Sequence, residues 1–222
     1  MIAKNTSLYD RICKHLERSI REGSLQPGGK LVEQNLSKKF GVSRPPIREA
    51  FRLLQRDGLV TIIPRRGAYV SRVTPKDAED IYAIRAYLEP LAVHLSLRHF
   101  KQNDFFFIEH LLGKMEVAVK KNDFDSFDNL NSQFHRKFFK KANNPKLKQL
   151  YEMFSKQIER FRSAAFRVPI RLKRSLREHQ MIYSALRNQD LPLTEILVRD
   201  HIENAGKDLI TYLKSLKEED KP

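Results

Sequence analysis

The chain has 222 residues, 41% of them apolar, enough for one large core or two smaller ones. Its 42 Lys and Arg outnumber 27 Asp and Glu for a net charge of +15, and residues 1–73 alone hold 15 basic against 6 acidic residues, which points to a polyanionic partner for that third. The single cysteine, Cys13, excludes an internal disulfide and a thiolate zinc cluster, and no stretch nears the roughly 20 apolar residues that span a bilayer.

The opening MIAKNTSLYDRICKHL lacks an uninterrupted apolar run, so no signal peptide is expected and the protein reads as soluble and cytoplasmic. From Thr6 to about Glu22, Leu8, Ile12, Leu16 and Ile20 recur every four residues and predict a helix with one apolar edge. Pro27-Gly28-Gly29 breaks it with a tight turn. Leu31 to Phe40 predicts a second short helix, closed by Gly41.

Ser43 to Asp57 predicts a third helix, closed by Gly58. Ser43 is placed to cap it, with Pro45 and Pro46 in the first turn, where a missing N–H is tolerated. Ile47, Ala50, Phe51 and Leu54 fall at helical spacing as one buried stripe. Arg44, Arg48 and Arg52 recur every four residues on another face. Alone, this segment reads equally well as a solvated amphipathic helix or as a helix for the DNA major groove. Its flanks favour DNA. Two helices joined by a Gly-containing turn match a helix-turn-helix. The β-prone runs Val60–Ile63 and Ala68–Val73, around Pro64-Arg65-Arg66-Gly67, predict a hairpin with a basic tip, a wing.

The pattern G-x-L-x-P-G-x-x-L, then L-x-x-x-F-G-V-S-R-x-P-I-R-E-A, then R-R-G-A-Y-V, resembles the winged helix-turn-helix of the GntR superfamily of bacterial transcription regulators over residues 10–73. The resemblance implies DNA contacts by Arg44 and Arg48, with Ser43 and Arg52 on the same helix, and by Gly67 with Arg65 and Arg66 on the wing. The family often has an arginine two residues before the leucine that is Leu36 here; this chain has Gln34, so a phosphate contact there is weaker or made by an amide.

Thr74-Pro75 reads as a hinge that also starts a helix, Thr74 as cap and Pro75 as first residue. Six helices are predicted beyond it, at about 75–100, 104–121, 124–142, 146–167, 171–188 and 192–216. The expected fold is mainly α. Residues 1–73 form a winged helix-turn-helix of three helices and a hairpin, and residues 74–222 an all-α bundle whose middle can hold a ligand. The run DAEDIYAIRAYLEPLAVHLSLRH, with Arg85 and Glu89 as R-x-x-x-E, resembles the opening of the FCD effector domain of FadR-type GntR regulators. The likeness continues through NLNSQFHRKFFKKANNPKL, SLREHQMIYSALRNQD and TEILVRDHIENA, and six helices suggest the VanR-type branch.

Three of the seven histidines, His135, His179 and His201, stand where that family keeps metal ligands. Each lies on or beside an apolar helix face, so three imidazoles from three helices are expected in one interior. Asn131 occupies the place of the family's usual aspartate, and an amide oxygen is a neutral, weaker ligand. A divalent ion fits the set, zinc or nickel before manganese; the alternative is three core histidines joined by water or hydrogen bonds. His15, His94, His99 and His110 show no such grouping.

Arg85 beside an apolar face is either half of an ion pair, for instance with Glu89, or a clamp for a carboxylate effector, which the resemblance implies; Tyr183 and Asn204 are further candidates to line that cavity. The expected function is a ligand-responsive regulator, a homodimer on a pseudo-palindromic operator, with a small organic acid relieving repression. The alternatives are a purely structural helical domain and a metal-dependent hydrolase. Against the hydrolase stand the absence of H-E-x-x-H and G-x-S-x-G, and Glu178, whose place directly before His179 turns it elsewhere on the helix.

Overall fold

The computed structural model describes residues 8–21, 23–165 and 171–219. The chain divides into two compact units, Met1–Val73 and Thr74–Pro222.

The first unit is three helices and a small sheet. Helix α1 spans Leu8–Arg21; its expected stripe buries Ile12 and Leu16 but leaves Leu8 exposed at the helix start. Residues 6, 7 and 22 of the predicted helix lie outside the described residues. Strand β1, Lys30–Leu31, was not expected: the sequence reads Leu31 as the start of a helix, which here begins at Glu33. Strand pairing decides it, because Lys30 faces Tyr69 and Leu31 faces Ala68 across an antiparallel ladder. A two-residue strand has no periodicity to read. Gly28 and Gly29 lead into it, their N–H and C=O bonded to the Val70 carbonyl and amide. At Gly28, φ is +81°, a conformation that strains most side chains, and a Cβ there would also displace the Arg72 guanidinium, 2.6 Å away at Nε.

Helix α2, Glu33–Phe40, ends at Gly41 in the left-handed region; the Gly41 N–H donates to the Lys38 carbonyl and the Val42 N–H to that of Ser37. Helix α3, Arg44–Arg56, buries all four residues of its stripe: Ile47, Ala50, Phe51 and Leu54. Ser43 holds the N-cap position, but its side chain makes no cap bond. A serine cap bonds the second or third helical N–H, and here both belong to prolines, Pro45 and Pro46, which have none. Strands β2, Val60–Ile63, and β3, Gly67–Val70, form the hairpin, and β1 completes a sheet in the order β1-β3-β2. Its inner face, with Leu31, Val60, Ala68 and Val70, closes the core over α1 and α3.

Among the described residues the second unit has six helices: α4, Pro75–Leu97; α5, Gln102–Lys121; α6, Phe124–Lys141; α7, Pro145–Ala165; α8, Arg171–Arg187; and α9, Leu191–Glu219. Thr74 and Asp77 form a capping box that starts α4. Phe127, Phe134, Met115, Ile182, Leu186 and Ile202 are fully buried, each contributing about 1.5–3 kcal/mol by burial. Helix α9 lies against α4, where a Cβ at Gly206 would meet Tyr82 Cβ at 2.8 Å. Asp104, in the first turn of α5, is bonded by Lys137 and Lys141 of α6, each at 2.7 Å. Among the described residues no helix is long and apolar enough to cross a membrane.

Candidate functional site

In the first unit the apolar stripe of α3 faces inward, which leaves Arg44, Arg48 and Arg52 exposed along its outer side. Gln34 is exposed on α2, and Ser43 at the head of α3. Arg48 is not loose: its Nε donates to both carboxylate oxygens of Glu33, at 3.0 and 2.9 Å. Arg52 stands 3.6 Å from Glu49 on its own helix. Arg65 and Arg66 are exposed in the turn between β2 and β3, and Gly67 at the start of β3, Arg65 with φ +63° and Gly67 with φ +105°. The unit therefore presents an arginine ridge and a basic hairpin tip on elements pinned by one core.

In the second unit, His135 from α6, His179 from α8 and His201 from α9 come together as the sequence predicts, all buried, with candidate ligand atoms within 4.8 Å of one another. Each ring has its Nδ1 directed to a fixed acceptor. Nδ1 of His135 donates to Glu89 at 2.5 Å, that of His201 to Glu178 at 2.6 Å, and that of His179 to the Ser175 carbonyl at 2.7 Å. A carbonyl or carboxylate only accepts, so the proton sits on Nδ1 and the Nε2 lone pairs are left inward. Nε2 of His135 and His179 lie 3.5 Å apart. Two ligands of a tetrahedral ion at 2.0–2.1 Å bonds stand about 3.3 Å apart, so this pair has the spacing such an ion needs. Burial lowers the pKa of His179 and His201 well below 6.5, with charged and ring neighbours adding to it, so both rings stay neutral and able to ligate.

Asn131 lies one turn before His135, 1% exposed, and neither its amide oxygen nor its amide nitrogen has a hydrogen-bond partner among the described residues. An orphaned buried amide calls for a ligand. Arg85 is 3% exposed and its Nε donates to Glu89 at 2.7 Å, so the ion pair considered from the sequence is formed, with the guanidinium over the Tyr82 ring. Burial alone would push the Glu89 carboxyl up, but Arg85 and then His135 outweigh it and hold it well below the usual carboxylate range.

Glu178 corrects the sequence reading. It does turn away from the neighbouring His179, but about 100° of helix rotation brings it to α9, where it holds His201. Asn204 supports that carboxylate, its Nδ2 donating to Oε1 at 3.2 Å. Arg171, 1% exposed, reaches Glu178 at 3.2 Å and Asp208 at 3.3 Å, and nothing in the sequence analysis singled it out. Arg171, Ser175, Glu178 and His179 recur at 4-3-1 spacing along α8, a signal that pairing with α9 makes readable. Tyr183 is half-buried beside Glu109 of α5; burial, then that carboxylate, pushes its hydroxyl up. One turn beyond His179 it has rotated about 40° further round the helix, toward α5.

Residues 8–70 match the model for bacterial regulatory proteins of the gntR family, and residues 80–204 that of the FCD domain. The chain is 32% identical to a Bacillus subtilis protein named uncharacterized HTH-type transcriptional regulator YdhC, over 97% of this chain and 96% of that one. It is 27% identical to the HTH-type transcriptional repressor RspR of Escherichia coli, over 89% and 86%. The solved structure of E. coli McbR/YncC shares the fold, with a TM-score of 0.76, 23% identity and coverage of 93% and 98%. Both relatives carry the names of HTH-type transcription regulators, which speaks for a regulator and against the hydrolase alternative. The winged helix-turn-helix, the histidine-centred helical domain and these matches together make the chain a member of the GntR family of transcription regulators, of the FadR-like architecture with an FCD domain.

Proposed function

We propose that the protein is a cytoplasmic repressor that binds a pseudo-palindromic operator as a homodimer and is released by a small organic acid bound in its helical domain. Helix α3 enters the major groove with Arg44, Arg48 and Arg52, while Ser43 and Gln34 reach phosphates. The tip Arg65-Arg66-Gly67 follows the backbone or the minor groove. Two-fold symmetry of the dimer sets the spacing of the half-sites.

The observation that carries the sensing half is the convergence of three Nε2 lone pairs whose Nδ1 atoms are all engaged. His135, His179 and His201, with Asn131 as fourth, would hold a zinc or nickel ion. Such an ion supplies a Lewis acid for an oxyanion. All four ligands are neutral, and the nearby carboxylates are already balanced: Glu89 by Arg85, and Glu178 by Arg171. A buried dication among neutral ligands retains its charge, which favours an anionic effector beside it. Arg85 and Asn204 stand at the two ends of this network. Tyr183, beside Glu109, is assigned no effector contact.

The test has two arms. Elemental analysis of purified protein should find about one divalent ion per chain, lost in His179→Ala; equal metal in both overturns the histidine site. A panel of small organic acids should yield one that raises the melting temperature and weakens operator binding, since a ligand of the folded state stabilises it by mass action. The coupling is reciprocal, so operator DNA should weaken binding of that acid. A panel without effect on either quantity leaves the helical domain as a structural element only.

A further inference from the structure

Of the three ridge arginines on α3, Arg48 is the one bonded to another element among the described residues. Its Nε donates to both oxygens of Glu33, the first residue of α2, at 3.0 and 2.9 Å. The pair is open to solvent, with 61% of the Arg48 side chain and 31% of Glu33 exposed. An exposed ion pair adds little to stability. A carboxylate on the face that meets phosphates also opposes binding. The pair is thus placed where it helps neither fold stability nor bulk affinity.

It does constrain which edge of the guanidinium is available. With Nε held by Glu33, the fork that points outward is the Nη1–Nη2 edge. That edge matches the O6 and N7 acceptors of guanine in the major groove, the commonest specific arginine contact. An untethered arginine on a flexible stem bonds phosphates and bases alike; a tethered one offers a single planar fork in one direction. Glu33 lies in the first turn of α2, where the helix dipole favours its negative charge. Gly41 and Val42, with their amides bonded to Lys38 and Ser37 carbonyls, make a tight link between α2 and α3, so the two ends of the tether are rigidly related.

We infer that Glu33 is a specificity-determining positioning residue: it orients Arg48 to read one guanine in each operator half-site and opposes binding to unrelated DNA. The inference rests on α3 being the recognition helix.

Duplexes selected from a random pool by the wild-type protein provide the operator. Fluorescence anisotropy then gives affinities for that duplex, for each single base-pair change and for an unrelated duplex, at two salt concentrations. Glu33→Gln should bind the unrelated duplex several-fold tighter, having lost a negative charge. It should also lose about tenfold discrimination at one G·C pair per half-site, the same pair at which Arg48→Ala loses it. Glu33→Asp keeps the charge on a shorter arm; it should lose that discrimination without gaining affinity for unrelated DNA. Far-UV circular dichroism and melting temperature are expected to match wild type for all three variants. Equal weakening on specific and unrelated duplexes in Glu33→Gln, or full discrimination retained at the Arg48 pair, overturns the positioning role. Discrimination retained at every position in Arg48→Ala overturns the recognition-helix reading itself, and the inference with it.

Discussion

Replacing Glu89 by glutamine separates the electrostatic from the packing role of the buried network around His135. Glu89 and Arg85 are each 3% exposed, their bond is 2.7 Å, and the second oxygen of Glu89 accepts from His135 Nδ1. Glutamine keeps the volume and one acceptor oxygen but removes the charge. The Arg85 guanidinium then stays buried without this carboxylate. Breaking a buried pair by removing one partner costs about 3–5 kcal/mol, and the retained amide oxygen places the expected loss near the lower end. For a unit of this size, each kcal/mol shifts the melting temperature by about 2–4 °C, so a drop of roughly 6–12 °C is expected. The assay is thermal unfolding of the full chain in chelator, followed by calorimetry so that the helical unit's transition is read by itself. Arg85→Met combined with Glu89→Gln removes the buried cation together with its carboxylate and should recover most of the loss. Affinity for the proposed ion should fall about 10–100-fold in Glu89→Gln, because the acceptor facing His135 Nδ1 loses its charge. A shift under 2 °C, or a double variant as unstable as the sum of the two singles, refutes the reasoning.

Three further outcomes follow from local geometry. Gly206→Ala puts a Cβ 2.8 Å from Tyr82 Cβ between α9 and α4, and should destabilise the helical unit by about 1–3 kcal/mol in urea unfolding. Ser43→Ala should leave the melting temperature unchanged, where loss of a working cap would cost about 1 kcal/mol, because the hydroxyl makes no cap bond; on the proposed reading, in which that hydroxyl reaches a phosphate, operator affinity should fall modestly. Asp104→Asn should destabilise the protein by about 2 kcal/mol at pH 7, since the carboxylate takes charge-assisted bonds from Lys137 and Lys141. Burial would raise the Asp104 pKa, but bonds from Lys137 and Lys141 outweigh it and depress it. The stabilisation is thus present above the ordinary value of 3.8 and is lost as pH falls through the depressed one, so wild type and variant should converge only in strong acid. A difference that stays constant from pH 7 to pH 2 contradicts this.

Much of the architecture is legible in one dimension. The stripe Ile47, Ala50, Phe51 and Leu54 is buried, and the six predicted helices of the second unit appear within a few residues of their expected bounds. Thr74-Pro75 and Asn122 punctuate those helices, and Gly41 ends α2 in the first unit, because each supplies a cap or a left-handed residue that a continuing helix cannot use. The three histidines were findable for the same reason, as polar residues on or beside apolar faces whose periodicity is local. Their supporting carboxylates were less so. Glu89 lay within reach as the i+4 neighbour of Arg85, but Glu178 was set aside because only its own helix could be considered.

The amino-acid sequence by itself determined the helices, the wing, the family and the identity of the inward-facing imidazoles, since all of these depend on spacing along one element. Tertiary structure alone decided which atoms meet across elements. It made Lys30–Leu31 a strand by pairing it with β3, tied Arg48 to Glu33 across the α2–α3 turn, and directed Glu178 of α8 to His201 of α9. It left Asn131, one turn before His135, buried and without a hydrogen-bond partner among the described residues. Such contacts depend on how faces from distant segments are brought together, and periodicity reports only that a face exists, not what stands opposite it.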